Sequence, residues 1–397
     1  MKIGVLAYRY NYYANQRIIV GKVPECTYIP VHDLYSVQRN LAFRLNQIIG
    51  KPLIPTFNLN NQFEDFDLNR VDLFHFSNGI SYGKTPWVAS FETILPRFSE
   101  LLNRHQGEKE GFMRMTPLVK KGLDALAGKA CKRIIAWSQC SAAIQEDLLK
   151  AFPSDYSQPI LSKMRVLYPP QAALVDSVSH REYDSKHPIR FILVGAAFFR
   201  KGGRELLQAF EKLVKEEGLP LKLVVVSALR PEPYAAHETE ADAIWAKKKL
   251  TQNPEWVEYY PSLENAKVLE LVKGCDVGLL PTWADTYGLS VHEAQACGLP
   301  VITTNSRALP EMNNDQLGWL ISVPQNRFKE ACYNTPEERE ILSNVIRQGL
   351  ETVIREIAYN PQQIAQKGSL ALEMIRGQHH PIQYAESLRE IYRQALE

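Results

Sequence analysis

Ten short apolar runs constrain this chain more than any other feature. "KIGVLAY", "DLFHFS", "WVASFE", "RIIAWS" and "MRVLYP" fall in the first half, and "IRFILVGA", "LKLVVVSA", "EWVEYY", "CDVGLLP" and "LPVITT" follow in the second. Their apolar residues are continuous rather than alternating, the pattern of strands covered on both faces, and helical patterns lie between them. That combination requires parallel sheets with crossover helices, and two sets of runs require two doubly wound α/β domains. The 397-residue length agrees, since about 150 residues is a usual size for one core.

The polar, aperiodic segment "SVSHREYDSKHPI" (177–189) separates the two sets and reads as the linker. The predicted division is 1–178 for the first domain and 187–377 for the second. The amphipathic ending "PIQYAESLREIYRQALE" is predicted as a final helix, with Ile382, Leu388, Ile391, Tyr392 and Ala395 as its apolar positions.

Composition excludes several classes. The formal net charge of +2 gives no general attraction to polyanions, so no nucleic-acid partner is expected. Six scattered cysteines without a C-x2-C pair suit reduced thiols and a cytoplasmic location rather than a disulfide framework or structural zinc. No run approaches the ~18 apolar residues of a spanning helix.

The stretch "PTWADTYGLSVHEAQACGLPVITTN" (281–305) holds the most chemistry. It follows the buried strand "CDVGLLP", and in open α/β sheets ligands lie beyond the carboxyl ends of strands. "LSVHEAQAC" reads as a short helix, stopped by Gly298 as a left-handed cap with Pro300 beyond it. Its N-terminus near Gly288 therefore offers free N–H groups and a positive dipole end to an anion. Asp285 and Glu293 stand eight positions apart; a wholly helical step of that length rises about 12 Å, the scale of a sugar–diphosphate–ribose assembly. On that reading Asp285 holds one end, Glu293 the ribose hydroxyls, and the backbone from Tyr287 through Gly288 and Leu289 to Ser290 the diphosphate between them, with Thr286 a further donor-binding candidate. The alternative is a helix-capping Asp and a solvated Glu.

The run "GCDVGLLPTWADTYGLSVHEAQACGLPVITTNSRALPEM" resembles the signature of the family-4 retaining glycosyltransferases of GT-B fold, an E-x7-E with Phe-Gly inside it and Glu-Ala and Gly-x-Pro-Val-Ile after it. Asp285 replaces the usual first Glu. "FILVGAAFFRKGGRELLQAF" is similar to the family's "VGR…KG" segment, in which Arg and Lys grip the donor diphosphate. Here Gly195 and Lys201 match, Ala196 replaces the Arg, and Arg200 or Arg204 is left to supply the missing charge.

The resemblance weakens in the first half. "VDLFHFSNG" and "TPWVASFETILPR" stand where the family has its acceptor domain, and Glu92 falls on the usual active-site His; a strand-end Glu paired with Arg97 is the alternative. "AYRYNYYANQR" replaces a Gly-Gly turn, so Tyr10, Tyr12 and Arg17 are candidates to hold an acceptor sugar. His75 is either a fourth acceptor contact or a hydrogen-bonded strand-end histidine, and His292 reads as a satisfied helix residue. Neither has a second His at metal spacing. The D-x-D in "EDFD" (64–67) reads as a solvated loop.

The resemblance implies a GT-B enzyme of two Rossmann-like domains facing across a cleft, with the final helix, 378–397, packed back on the first. It transfers a sugar from a UDP-, GDP- or ADP-sugar to a glycan, lipid-linked or small-molecule acceptor with retention of configuration. The catalytic candidates are Glu92, Lys201 and Asp285. The nucleotide-sugar is a co-substrate, and neither a cofactor nor a metal is expected. A non-catalytic partner subunit of the same fold is the rival. Residues 104–133 hold eight Lys or Arg against three acids, which suggests peripheral contact with the cytoplasmic face of an anionic membrane, or a phosphorylated acceptor; a solvated helix face is the alternative.

Overall fold

The computed structural model describes all residues except 52, 103–114, 179–180, 185 and 233. The chain forms two compact units, residues 1–170 with 379–397, and residues 171–378.

The first unit is built on a six-stranded parallel sheet. In spatial order its strands are Thr27–Val31, Lys2–Leu6, Leu73–Ser77, Trp87–Phe91, Cys131–Ala136 and Met164–Val166. Leu73–Ser77 and Trp87–Phe91 are buried at every position, which explains why they appear in the sequence as unbroken apolar runs. The first strand of the sequence pairs with the second on one side and with Leu73–Ser77 on the other, so the chain reverses direction across the sheet at that point. The helix Pro381–Leu396 closes this unit by burying Tyr384, Leu388, Ile391, Tyr392 and Ala395. Ile382 is 63% exposed instead. Tyr384 lies inside and donates its hydroxyl to the Ile18 carbonyl at 2.7 Å.

The second unit repeats the plan with strands in the order Val257–Tyr260, Leu221–Val226, Ile189–Val194, Val277–Leu280, Val301–Thr304 and Trp319–Ile321, all parallel. Its core packs the helix Gly203–Lys215 through Leu206, Leu207, Phe210 and Leu213. The helix Pro336–Tyr359 lies against it and buries Leu342, Ile346, Leu350, Ile354 and Ile357 at three- and four-residue spacing. Thr335 and Glu338 form a reciprocal cap at that helix's start.

The boundary between units falls at Pro170, ahead of the expected 178. The described residues of 171–189 are not a free linker: the Leu174 N–H donates to the Ala296 carbonyl, and Arg376 donates to the carbonyls of Val175 and Asp176. Arg181 and Tyr183 both donate to the buried carboxylate of Asp276, at 3.0 and 3.1 Å. Polar composition here marks a segment tied down by hydrogen bonds, which sequence patterning does not distinguish from a solvated one.

Candidate functional site

In the second unit the strand order, counted within the unit, is 3-2-1-4-5-6. The chain departs in opposite directions from the neighbouring strands Ile189–Val194 and Val277–Leu280, and the crevice beyond their carboxyl ends is where doubly wound folds take ligands. Residues 195–202 and 281–288 are the loops that leave those two strands.

These loops are locked to one another. The Trp283 N–H donates to the Arg200 carbonyl at 2.8 Å, the Thr282 hydroxyl donates to the same oxygen at 2.9 Å, and Thr304 holds the Thr282 carbonyl at 2.8 Å. Two glycines permit this closeness. Gly202 has φ +81°, and a Cβ there would sit 2.1 Å from the Pro281 carbonyl oxygen. Gly195 has φ +148°, and a Cβ there would meet Lys201 Cε at 2.3 Å. A side chain at Gly202 would force the loops apart, whereas one at Gly195 would push the Lys201 side chain out of its place.

Lys201 crosses under Gly195 and places Nζ 3.2 Å from Asp285 Oδ2, with the two side chains only 12% and 15% exposed. Burial pushes the Asp285 carboxyl up, but the charges of Lys201 and Arg200 and the hydrogen bond from the Tyr287 N–H outweigh it, and the group lies below its ordinary value. Asp285 is therefore a carboxylate at neutral pH. The helix Leu289–Ala296 follows, opened by Gly288 in the left-handed conformation with no side-chain cap, so its first N–H groups carry no side-chain acceptor. Thr286, Leu289 and Glu293 are half-buried along this loop and helix. Tyr287 is buried with its ring edge-on to His292 at 5.3 Å, and His292 is fully buried.

The two arginines proposed to replace the missing one are already engaged. Arg200 donates to Glu232 at 3.2 Å and to the Ala284 carbonyl at 2.8 Å. Arg204 pairs with Asp242 and lies 5.1 Å over the Trp245 ring. Arg200 thus braces the 281–288 loop, and Lys201 is the cation left beside Asp285. Two supporting residues escape sequence reasoning: Ser227, whose hydroxyl donates to the Gly195 carbonyl, and Glu232. Their only sequence signal is a place just after the strand Leu221–Val226.

The corresponding crevice of the first unit lies beyond Lys2–Leu6 and Leu73–Ser77. Arg9, which sequence reasoning passes over, dominates it: its guanidinium donates to the carbonyls of Ser77 and Asn60 at 2.5 and 2.7 Å, and to the Asn61 amide oxygen at 3.3 Å. Burial pulls its pKa down, and the largest electrostatic influences on it are two tyrosines and two further arginines, Arg97 and Arg39. Glu92 stands directly after Trp87–Phe91, about one fifth exposed, with Arg97 Nη1 at 3.7 Å and the Asn78 amide at 3.4 Å. Asn78 holds φ +59° and returns its own oxygen to the Glu92 N–H at 3.4 Å.

The other first-unit candidates scatter. Tyr12 is 58% exposed, and Tyr10 is half-buried with its hydroxyl donating to the Tyr28 carbonyl at 3.3 Å. Arg17 is buried and donates to the Tyr13 hydroxyl at 2.8 Å. His75 is no acceptor contact: it has no exposed surface, and its ring nitrogens meet the hydroxyls of Tyr392 and Ser90 at 2.7 Å each. Burial pulls its pKa to about 3, so it is a neutral core histidine.

The acids of "EDFD" serve the backbone. Asp65 accepts from the N–H groups of Asp67 and Asn69, and Asp67 from those of Lys84 and Thr85. Among the described residues no three His, Cys, Asp or Glu side chains are grouped to hold a metal ion, and no helix is long and apolar enough to cross a membrane. The basic segment 104–133 lies partly outside the described residues; within it, Lys120 pairs with Asp124 at 2.8 Å, and Lys121 donates to the Tyr35 hydroxyl at 3.2 Å.

Residues 178–349 match the family described as glycosyl transferases group 1. The chain is 27% identical over 124 residues to O-antigen chain mannosyltransferase B of Escherichia coli, covering 31% of this chain and 30% of that protein. It is 29% identical over 144 residues to a probable sucrose-phosphate synthase of Thermosipho melanesiensis, covering 35% of this chain and 31% of that one. These matches span less than a third of either relative's length. Among solved structures, Anabaena Alr3699/HepE in complex with UDP superposes with a TM-score of 0.57 at 14% identity, covering 98% of both chains. The two doubly wound parallel-sheet units thus have the GT-B fold, followed over nearly the whole chain.

Proposed function

We propose that the chain, whose residues 178–349 match the group 1 glycosyltransferase family, transfers a glycosyl group from a nucleotide-diphosphate sugar to an acceptor hydroxyl, with retention of anomeric configuration and without a metal ion. The observation that carries this reading is the Lys201–Asp285 pair at the crossing of two interlocked loops, immediately before an uncapped helix N-terminus.

As the bond from the anomeric carbon to the diphosphate stretches, the leaving oxygen becomes anionic and the sugar carbon cationic. Fixed donors aimed at the diphosphate lower that barrier without reorganising during the reaction. Lys201 Nζ and the first N–H groups after Gly288 are such donors, and they remove the need for a divalent cation at the phosphates. Asp285, ionised and held by Lys201, accepts hydroxyls of the transferred sugar, and Glu293 accepts those of the ribose. The acceptor hydroxyl attacks on the face from which the diphosphate leaves, and the departing phosphate oxygen takes its proton. Glu92, Tyr10 and Tyr12 belong to acceptor or sugar positioning in the first unit, with Arg9 and Asn78 shaping the floor around Glu92, while the buried Arg17 holds Tyr13. A cytoplasmic enzyme using a soluble nucleotide-sugar as co-substrate, with no resident cofactor, fits this chemistry. UDP is the first nucleotide to test, because the superposed Anabaena protein holds it.

One observation favours a second reading, that of a non-catalytic nucleotide-sugar-binding subunit: Ala196 stands at the family's arginine position, and both neighbouring arginines are committed elsewhere. Release of UDP from UDP-sugar that depends on Lys201 supports the transferase; nucleotide binding without any release, with or without acceptor, supports the subunit.

A further inference from the structure

The first unit's crevice gathers more positive charge than its own acids answer. Arg9 follows the strand Lys2–Leu6 and Arg97 lies in the loop after Trp87–Phe91, so the two come from strands on either side of Leu73–Ser77. Arg39 reaches in from the helix Leu34–Ile49 and lies 3.7 Å over the Tyr8 ring, with the Arg9 guanidinium 5.4 Å from the same ring. Burial is the first reason that the Arg9 pKa lies low, and repulsion by Arg97 and Arg39 adds to it; no acid is among the largest influences. The nearby carboxylates do not restore the balance. Asp33 accepts the N–H groups of Tyr35, Ser36 and Glu64, and Glu92 stands 3.7 Å from Arg97 Nη1. Three guanidiniums against these two carboxylates leave the group positive.

The donors are also incompletely answered. Arg9 donates to the neutral oxygens of Ser77, Asn60 and Asn61. The buried Nε atoms of Arg97 and Arg39 have no hydrogen-bond partner among the described residues. Like charges brought together with N–H groups left over are costly until an anion reaches them. Resting on the transferase reading, we propose that the acceptor carries an anionic group, phosphoryl or carboxylate, which Arg97 receives in the first unit's crevice with the charges of Arg9 and Arg39 in support. Arg97 is the residue to make the contact: its side chain is 26% exposed and its approach to Glu92 is long, whereas Arg9 is fixed by three hydrogen bonds and Arg39 lies against Tyr8. A planar guanidinium offers paired donors that match either anion, and an uncharged acceptor of the same shape forgoes them.

Calorimetry of the full chain with glucose 6-phosphate, glucuronate and glucose tests this without any transfer reaction. At least one of the two anions should bind roughly tenfold or more tighter than glucose, and added salt should weaken it. Tight glucose 6-phosphate alone marks a phosphoryl group, and tight glucuronate alone a carboxylate. Arg97→Gln should lower the anion's affinity roughly tenfold or more, the loss of one charge-assisted contact, while Arg97→Lys keeps the charge and should retain part of it. Both variants should unfold at the wild-type temperature and bind UDP as wild type does. Lys201→Ala alters only the second unit's crevice and should leave the anion's affinity unchanged. Anion binding lost in Lys201→Ala but normal in Arg97→Gln would place the anion at the donor crevice, overturning this proposal and leaving the transferase reading intact. Equal affinity for both anions and glucose, or wild-type anion affinity in Arg97→Gln, would also overturn it. Anion binding that depends on Arg97 in a chain that takes no UDP, GDP or ADP would support the site and count against the transferase reading.

Discussion

The two crevices are built from different materials. In the second unit the backbone does the shaping: Gly202 lets two loops close on each other, Gly195 leaves room for Lys201, a helix start without a side-chain cap follows, and Lys201 is already matched by Asp285. In the first unit long side chains do it: the half-buried Arg9 donates to neutral carbonyls, Arg97 and Arg39 lie near it, and Glu92 stands beside Arg97 and Asn78. A backbone cradle fits an invariant group such as a diphosphate and tolerates little change. Side-chain walls can be refitted to a new acceptor one residue at a time.

If that contrast is right, the largest loss comes from the cradle. Lys201→Ala should lower transfer at subsaturating donor by roughly 100- to 1,000-fold, because one charge-assisted donor to a developing anion is worth about 2.7–4 kcal/mol. Initial rates of nucleotide release measure it. Near-normal turnover would show that the diphosphate lies elsewhere.

Glu293→Gln should weaken free nucleoside diphosphate by about 1.5–3 kcal/mol, the cost of losing a charge-assisted hydrogen bond to the ribose. Calorimetry without acceptor isolates this effect. Unchanged affinity would leave Glu293 a solvated helix residue and shorten the donor site.

Glu92→Gln sharpens the contrast from the other side. It keeps the shape and removes the charge, so turnover should fall about tenfold while donor affinity holds, the mark of an interaction felt mainly in the transition state. Steady-state kinetics at saturating donor separate the two. Wild-type kinetics would leave Glu92 a structural residue beside Arg97 and Asn78.

The last effect is on stability and not on transfer. His75 is held near pKa about 3 and His379 near about 4, both mainly by burial, against an ordinary value of about 6.5. Below about pH 6.5 the unfolded chain takes up protons that these native residues refuse, so stability is greatest above that pH and falls as pH drops toward the folded values. Each histidine contributes at most about 1.4 kcal/mol per pH unit within that window. Thermal unfolding of wild type and His75→Gln between neutral pH and pH 5 should show the variant losing less of its stability on acidification than wild type.

What the sequence reveals divides along the same line. The strands Val277–Leu280 and Val301–Thr304, the helix between them and the left-handed Gly298 are legible because punctuation by Gly and Pro and continuous apolar runs are local signals. The strand Thr27–Val31 is not legible: it is an edge strand with Pro30 inside it and one buried residue, so neither run nor alternation marks it. Arg9 is hidden for a different reason. Its importance rests on the carbonyls of Asn60 and Ser77, more than fifty positions away, and only the folded sheet brings them together. His75 misleads because a strand-end histidine in sequence does not declare whether its ring faces a crevice or Tyr392. The helix Leu34–Ile49 shows the limit most plainly: periodicity puts Leu34, Val37, Leu41, Leu45 and Ile48 on one side, yet that side is exposed and Ser36 and Ala42 are the buried residues.

The most direct measurement is thermal unfolding of wild type and Lys201→Ala with UDP, GDP and ADP in turn. One nucleotide should stabilise the wild-type chain by about 2.7 kcal/mol when present at 100 times its Kd. At that same concentration it should stabilise Lys201→Ala far less. Equal stabilisation of the two proteins, or none of either by any of the three nucleotides, would contradict the assignment of the second unit's crevice as the donor site.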